Sequence, residues 1–266
     1  MTARELSSKN EGFLQLGIIL PDSRDMLFFV PTPIGNLQDM TLRGLEVLSQ
    51  AEVLLVEDGR VTGKLFQKLE IKSKPRMVNL VRSGKFNEVQ VYSVLEDLRA
   101  GRLETVALVS DAGSPGLSDP GFEVIRFAQE EGLDYTVLPG ANALVPALVA
   151  SGLVGGSFRF LGFLPVKKGR QTLLQSFREL TEPVVFYESV HRIRKTLRQL
   201  QDLLEPERKV FVARELTKQF EEYTLATLGE LDPETLTEQG EFVVVLDKQA
   251  KKNNPEKSGL GESVGE

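Results

Sequence analysis

The chain has 266 residues, 41% of them hydrophobic and 26% charged, with no cysteine, a single histidine and a formal net charge of −6. This is a globular composition, and it excludes disulfide frameworks, thiolate metal sites, cysteine nucleophiles and multi-histidine metal centres; no metal is expected. The acidic balance also argues against a protein that grips nucleic acid over its whole surface, so an RNA partner must meet a local basic patch.

Residues 1–25 show no clear period and read as an N-terminal extension, with Met26 directly before the first strand. No apolar run approaches the roughly 20 residues that cross a bilayer. The stretch 13–20 is interrupted by Gln15 and lacks a strongly basic leader, so a cytoplasmic protein without a membrane partner is expected. Residues 27–30 read as a strand, and Leu42, Leu45 and Leu48 follow at helical spacing. Residues 53–56 are a second strand, followed by a helix carrying Leu65, Phe66 and Leu69; 77–81 is a third strand. Val91, Val94, Leu95 and Leu98 mark a helix closed by Gly101. After the buried-type strand 106–109, Asp119-Pro120 has the cap-and-proline pattern of a helix start, and Gly132 ends that helix. Residues 135–138 are one more strand. Such alternation predicts βαβ units and a parallel sheet.

Pro139-Gly140 breaks the pattern, and a helix of small residues is expected over 142–150. Strands follow near 158–161, 184–187, 210–213, 224–227 and 242–246, with the clearest helix on Ile193, Leu197, Leu200 and Leu204. The expected fold class is α/β. It comprises an N-terminal domain over 26–140 with a mainly parallel sheet, a C-terminal domain over 141–247 with a mixed sheet, and a ligand cleft between them. Residues 248–266, almost without apolar content, read as a disordered tail.

Open parallel sheets bind ligands beyond the carboxyl ends of their strands. Six polar segments follow strands in this chain: 31–36, 57–60, 110–121, 139–142, 188–189 and 214–217. The longest, 110–121, is rich in Gly, Pro, Ser and Asp, which keeps side chains off the backbone and restricts its path, as a loop needs where backbone groups touch a ligand. Two motif decoys drop out. Gly63-Lys64 follows Gly59 one residue too soon for a phosphate loop and is followed by Leu65, where Ser or Thr must bind magnesium. Gly259-Leu260-Gly261 follows no strand, so it is no dinucleotide fingerprint.

Seven segments occur in order: Pro31-Thr32-Pro33-Ile34-Gly35-Asn36-Leu37; Glu57-Asp58 with Arg60, Thr62 and Gly63; the 110–121 loop; Leu138-Pro139-Gly140; Phe186-Tyr187-Glu188-Ser189 with His191-Arg192; Ala213-Arg214-Glu215-Leu216-Thr217-Lys218; and Gly240-Glu241-Phe242. Together, over about 27–247, they resemble the ribosomal RNA small-subunit methyltransferase I branch of the tetrapyrrole methylase superfamily. The resemblance implies two α/β domains with S-adenosylmethionine held between them and a homodimer. It also implies methylation of the ribose 2′-hydroxyl of a cytidine in the decoding region of 16S rRNA, within the small ribosomal subunit. The chain departs from the pattern at Gly59 and Val61, where the family usually has Thr and His, and at Ser114-Pro115-Gly116-Leu117, Asn142 and Val190.

Methyl transfer to an alcohol needs an in-line approach at about 3 Å and help in removing a proton from a weakly acidic hydroxyl. By the resemblance, Pro33 and the loop residues Asp111, Ala112, Gly113, Ser114, Ser118 and Asp119 bind the cofactor. Pro139, Gly140 and Asn142, with Phe186, Ala213 and Leu216, line the rest; Phe186 also reads as plain core, from its place in an apolar strand. Glu57, Asp58, Glu188 and His191 are the candidate catalytic bases. Glu57 and Asp58 are adjacent in sequence and so point different ways at a strand end. The dense basic runs are Lys167, Lys168 and Arg170, and Arg192, Arg194, Lys195 and Arg198. Candidate RNA contacts are Arg60, Lys167, Lys168, Arg170, Arg192 and Lys218, although arginines near carboxylates also serve as structural ion pairs. Two other functions fit the same residues: a superfamily methyltransferase acting on a tetrapyrrole or a protein side chain, and a catalytically weakened cofactor-binding factor of the ribosome, suggested by Gly59 and Val61.

Overall fold

The computed structural model describes residues 26–117 and 121–249. The readings of the N-terminal extension, the Asp119-Pro120 helix start, the Ser118 and Asp119 ligands and the tail from residue 250 lie outside the described residues. The chain divides into two compact units. One runs to Pro146 and takes in Arg214–Glu222; the other holds Ala147–Ala213 and the chain from Tyr223.

In the first unit the chain forms β1 (Met26–Phe29), α1 (Leu42–Gln50), β2 (Val53–Val56), α2 (Gly59–Lys68) and β3 (Arg76–Asn79). A hairpin of β4 (Val81–Arg82) and β5 (Lys85–Phe86) follows, then α3 (Glu88–Arg99), β6 (Thr105–Val109), α4 (Phe122–Glu130) and β7 (Tyr135–Val137). Five strands make one sheet in the order β3-β2-β6-β1-β7, with every neighbouring pair parallel. The runs Met-Leu-Phe-Phe and Val-Leu-Leu-Val are buried at every position, as strands covered on both faces must be. Phe28, Leu54 and Ala107 pack with Val47 and Leu48 of α1 and Phe66 of α2. Leu27, Leu55 and Leu108 pack with Val91 and Leu95 of α3 and Val124 of α4. Each such Val, Leu or Phe side chain contributes about 1.5–3 kcal/mol by leaving water.

The hairpin was not anticipated. Its turn residues Ser83 and Gly84 both have positive φ, 53° and 74°, the pairing that a tight two-residue turn requires. The single strand expected over 77–81 is therefore two elements.

The second unit contains β8 (Arg159–Phe163), α6 (Arg170–Ser176), β9 (Val184–Ser189), α7 (Ile193–Leu203), β10 (Lys209–Arg214) apart from its last residue, β11 (Glu222–Thr227) apart from its first, and β12 (Glu241–Leu246). The boundary between the units in sequence falls within α5 (Leu144–Ser151). The sheet order is β11-β10-β12-β9-β8. β9 runs antiparallel to β12, with Ser189 opposite Glu241, and parallel to β8, so the sheet is mixed, as expected. α7 buries Ile193, Leu197 and Leu200 at helical spacing against Phe186, Val212 and Phe242. Among the described residues no helix is long and apolar enough to cross a membrane.

Candidate functional site

β1 leads into α1 and β6 into α4, helices on opposite faces, although the two strands are neighbours in the sheet. Diverging connections of this kind mark where an open α/β sheet receives its ligand. Here the loops after β1 and β6 are tied by backbone. Thr32 and Gly113 exchange two N–H···O bonds of 2.9 Å each. The buried Thr32 hydroxyl donates to Ser110 O at 3.1 Å, and the Ser110 hydroxyl donates to Gly113 O at 3.1 Å. Gly113 and Gly116 take the left-handed conformation, φ 86° and 84°. A Cβ on Gly116 would meet nothing within 4 Å, so its backbone is laid bare.

The loop after β7 completes this edge. Ser114 Oγ donates to Ala141 O at 3.3 Å, and Asn142 Oδ1 accepts the Val145 N–H at 2.9 Å, capping α5. Gly140 lies against Pro31, where a Cβ would come within 2.6 Å of the proline Cβ. The segment 214–222 reaches the same edge. Thr217 Oγ1 accepts the Asn36 N–H at 3.1 Å, and a Cβ on Gly35 would lie 2.4 Å from Lys218 Cγ. Glu215 and Thr217 hold positive φ of 52° and 65°, a costly conformation for residues with side chains, while Leu216 between them is buried. Of the sequence-predicted cofactor residues, Pro33, Asp111, Ala112, Gly113, Ser114, Pro139, Gly140, Asn142 and Leu216 all belong to these loops. Thr32, Gly35 and Thr217, which build the edge, were not singled out; their places inside the quoted motifs were the available signal.

Carboxylates gather at the same strand ends. Asp111 N–H donates to Glu57 Oε2 at 3.3 Å, and Asp58 N–H donates to Asp111 Oδ1 at 3.1 Å. Burial, then the charge of Glu57, push the Asp111 carboxyl above the usual aspartate range. Asp58 is held the other way, down to about 2, by hydrogen bonds from the Arg60 side chain and backbone. It caps α2 by accepting the Arg60 N–H at 2.8 Å and pairs with the exposed guanidinium at 2.6 Å. Gly59 opens α2 with room for a Cβ, the nearest atoms lying at 3.6 Å, and Val61 is exposed on the same helix.

In the second unit the picture changes. Glu188 is buried at the end of β9, accepts a hydrogen bond from Thr196 Oγ1 at 2.7 Å, and pairs with Arg192 at 2.7 Å and Arg170 at 3.7 Å. Arg170, expected to meet RNA phosphates, is only 8% exposed and spends its guanidinium on Thr196, Gln199 and Pro165 O. The physical reason is Glu188: a buried carboxylate needs cationic partners, and the first residue of α6 turns inward to supply one. Arg192 is likewise committed, donating also to Leu164 O at 3.0 Å. Phe186 is fully buried beside Phe177, with ring centroids 6.4 Å apart, and Ala213 is buried in β10. His191 is exposed and lines a cavity of about 440 Å³ with Val190, Glu238, Gln239 and Gly240. Lys218 pairs with Glu215 at 2.8 Å, while Lys167 and Lys168 are exposed.

The sequence matches the family described as Tetrapyrrole (Corrin/Porphyrin) Methylases over residues 26–232. Among curated proteins, it is 41% identical over 238 residues to "Ribosomal RNA small subunit methyltransferase I" of Halalkalibacterium halodurans, covering 88% of this chain and 80% of that protein. The protein of the same name in Vibrio cholerae is 43% identical over 213 residues, covering 80% of this chain and 72% of the relative. Among solved structures, a cobalt precorrin-4 methyltransferase is similar with a TM-score of 0.59 at 20% identity, covering 84% of this chain and 95% of that one. The uroporphyrin-III C-methyltransferase of Thermus thermophilus complexed with S-adenosyl homocysteine has a TM-score of 0.55 at 21% identity, covering 84% and 97%. Those two likenesses concern the fold, whereas the family match and the curated relatives place the chain itself: it belongs to the tetrapyrrole methylase family, in the group of the ribosomal RNA small subunit methyltransferases I.

Proposed function

We propose that this chain methylates the ribose 2′-hydroxyl of a cytidine in the decoding region of 16S rRNA, using S-adenosylmethionine. The observation that carries the reading is the convergence of backbone-built loops and carboxylates at the carboxyl edge of the parallel sheet, in a chain of this family. Glu57 and Asp111 put negative potential at that edge, the charge of Asp58 being offset by Arg60, which favours a cationic ligand over a polyphosphate. The bared backbone at Gly116, on a loop whose Gly113 is tied to Thr32, suits close approach by amino-acid and ribose groups. The residues present therefore fit the cofactor, which when bound supplies an electrophilic methyl group on a sulfonium. In this reading Pro33, Asp111–Ser114, Pro139, Gly140, Asn142 and Leu216 hold it, Ala213 lies at the root of the 214–222 loop, and Phe186 acts through packing. The protein works in the cytoplasm as a homodimer, and its substrate is 16S rRNA within the small ribosomal subunit.

Two of the four candidate bases are committed elsewhere. Asp58, held near 2 by Arg60, is too weak a base, and Glu188 is enclosed by its arginines. Glu57 and His191 retain the role. Glu57→Gln is expected to lower kcat about a hundredfold or more if Glu57 takes the proton, with His191→Asn much milder; the reverse ranking moves the role to His191. Mass-spectrometric mapping of ribose methylation in 16S rRNA, with and without the gene, tests the function. Loss of one 2′-O-methylcytidine is expected, and an unchanged map overturns the reading.

A further inference from the structure

We propose that the exposed turn 166–169 is a preformed contact for RNA phosphates, and that Glu188, Arg170 and Arg192 are positioning residues that hold this turn instead of touching RNA. The inference rests on the RNA-methyltransferase reading above and concerns the part of the second unit that meets the nucleic acid.

One buried ion cluster grips the entry to the turn at Leu164 and Pro165 and includes Arg170, the residue at its exit. Arg192 Nη1 donates to Leu164 O at 3.0 Å and Arg170 Nη1 to Pro165 O at 3.1 Å. Glu188, with a side chain 0% exposed, holds both guanidiniums. Thr196 locks the geometry, accepting from Arg170 Nη2 at 2.6 Å and donating to Glu188 at 2.7 Å. The turn itself closes through the Arg170 N–H to Lys167 O, at 3.3 Å, with Gly169 in the left-handed conformation at φ 80°. What this frame presents to solvent is Val166, Lys167 and Lys168.

Charge pairing separates Lys167 and Lys168 from the arginines of the other basic stretch, in which Lys195 is exposed and also makes no ion pair among the described residues. On α7, Arg194 pairs with Glu234 and Glu238, and Arg198 pairs with Glu234. Lys167 and Lys168 make no ion pair among the described residues. Two guanidiniums against one carboxylate leave an excess positive charge beneath the turn, which raises the potential there. A turn already ordered loses less conformational freedom when it binds, so two lysine point charges on it hold phosphates better than the same charges on a loose loop.

The test measures binding of small ribosomal subunits from a strain lacking the gene, as a function of salt. Lys167→Gln with Lys168→Gln is expected to weaken binding about tenfold and to lower the slope of log Kd against log salt by about 1.4, near 0.7 per phosphate. Arg194→Gln with Arg198→Gln should change affinity less than about twofold, because those charges are already neutralised. Arg170→Lys keeps the charge but cannot serve Pro165, Gln199 and Thr196 at once, and should weaken binding about threefold. Glu188→Gln serves as a second probe if it folds, judged by its melting curve and its titration with S-adenosylmethionine. Adding Arg170→Lys to the double lysine variant should cost nothing further, since the arginine acts only through the turn. Full affinity in the lysine variant, full affinity in Arg170→Lys, or additive losses overturn the proposal. An unchanged methylation map sinks the parent reading instead, so the two failures are distinguishable.

Discussion

Two strands of this molecule end the same way and are used differently. β2 runs into Glu57-Asp58 and β9 into Glu188-Ser189, each after a buried apolar run. At the end of β2 the carboxylates stay partly exposed and touch backbone: Asp111 leans on the Asp58 amide, and Glu57 on the Asp111 amide. At the end of β9 the carboxylate is sealed, and two arginines and a threonine hydroxyl satisfy it. A carboxylate with one backbone partner keeps lone pairs for a ligand or a proton, whereas one ringed by guanidiniums has become part of the frame. The type of residue at a strand end therefore says less than the company it keeps.

That contrast can be broken by experiment. The largest effect is expected at the sealed end. Glu188→Ala leaves Arg170 and Arg192 without their counter-charge and should cost about 3–5 kcal/mol in urea unfolding; a loss under about 1 kcal/mol would show that Glu188 is no keystone. Next comes the tight contact at the open end. Gly140→Ala drives a methyl to within 2.6 Å of Pro31 Cβ, so one loop must move; about 1–3 kcal/mol of stability should be lost, together with cofactor affinity in calorimetry.

The smallest effect is a gain. Asp111→Asn keeps an oxygen to accept the Asp58 N–H and removes a charge that burial and Glu57 disfavour. The raised carboxyl binds its proton more tightly folded than unfolded, so its contribution is present at low pH and lost as pH rises through the folded value. Asp111→Asn should accordingly melt at or slightly above the wild-type temperature at pH 7, and the difference should vanish on acidification, where wild-type Asp111 is also neutral. A lower melting temperature at neutral pH would mean that the charge is structural, as it is at Glu188.

Much of the fold was legible in the chain. Continuous runs such as Val53–Val56 announced strands covered on both faces, and Ile193, Leu197 and Leu200 announced the helix that covers the second sheet. The Ser83-Gly84 hairpin escaped because two-residue strands carry too little periodicity to register. The helix over Arg170–Ser176 escaped for a related reason: with seven residues it shows barely two turns of pattern. At the site, the loop after β6 stood out in the sequence for its run of small residues, which suits backbone contact with a ligand and equally makes a rigid turn. The commitments of Arg170 and Arg192 were not. A basic run looks the same in sequence whether its charges face water or a buried carboxylate.

The order and period of apolar residues determined by themselves that this chain would form a parallel sheet followed by a mixed one, because burial of a strand or a helix face depends on spacing along the chain. Which acid is available for chemistry, and which lysines remain free to meet phosphate, only the tertiary structure decided. Charge and hydrogen bonding are settled by partners distant in sequence, such as Thr32 with Gly113 or Arg170 with Glu188, and no local pattern encodes those meetings.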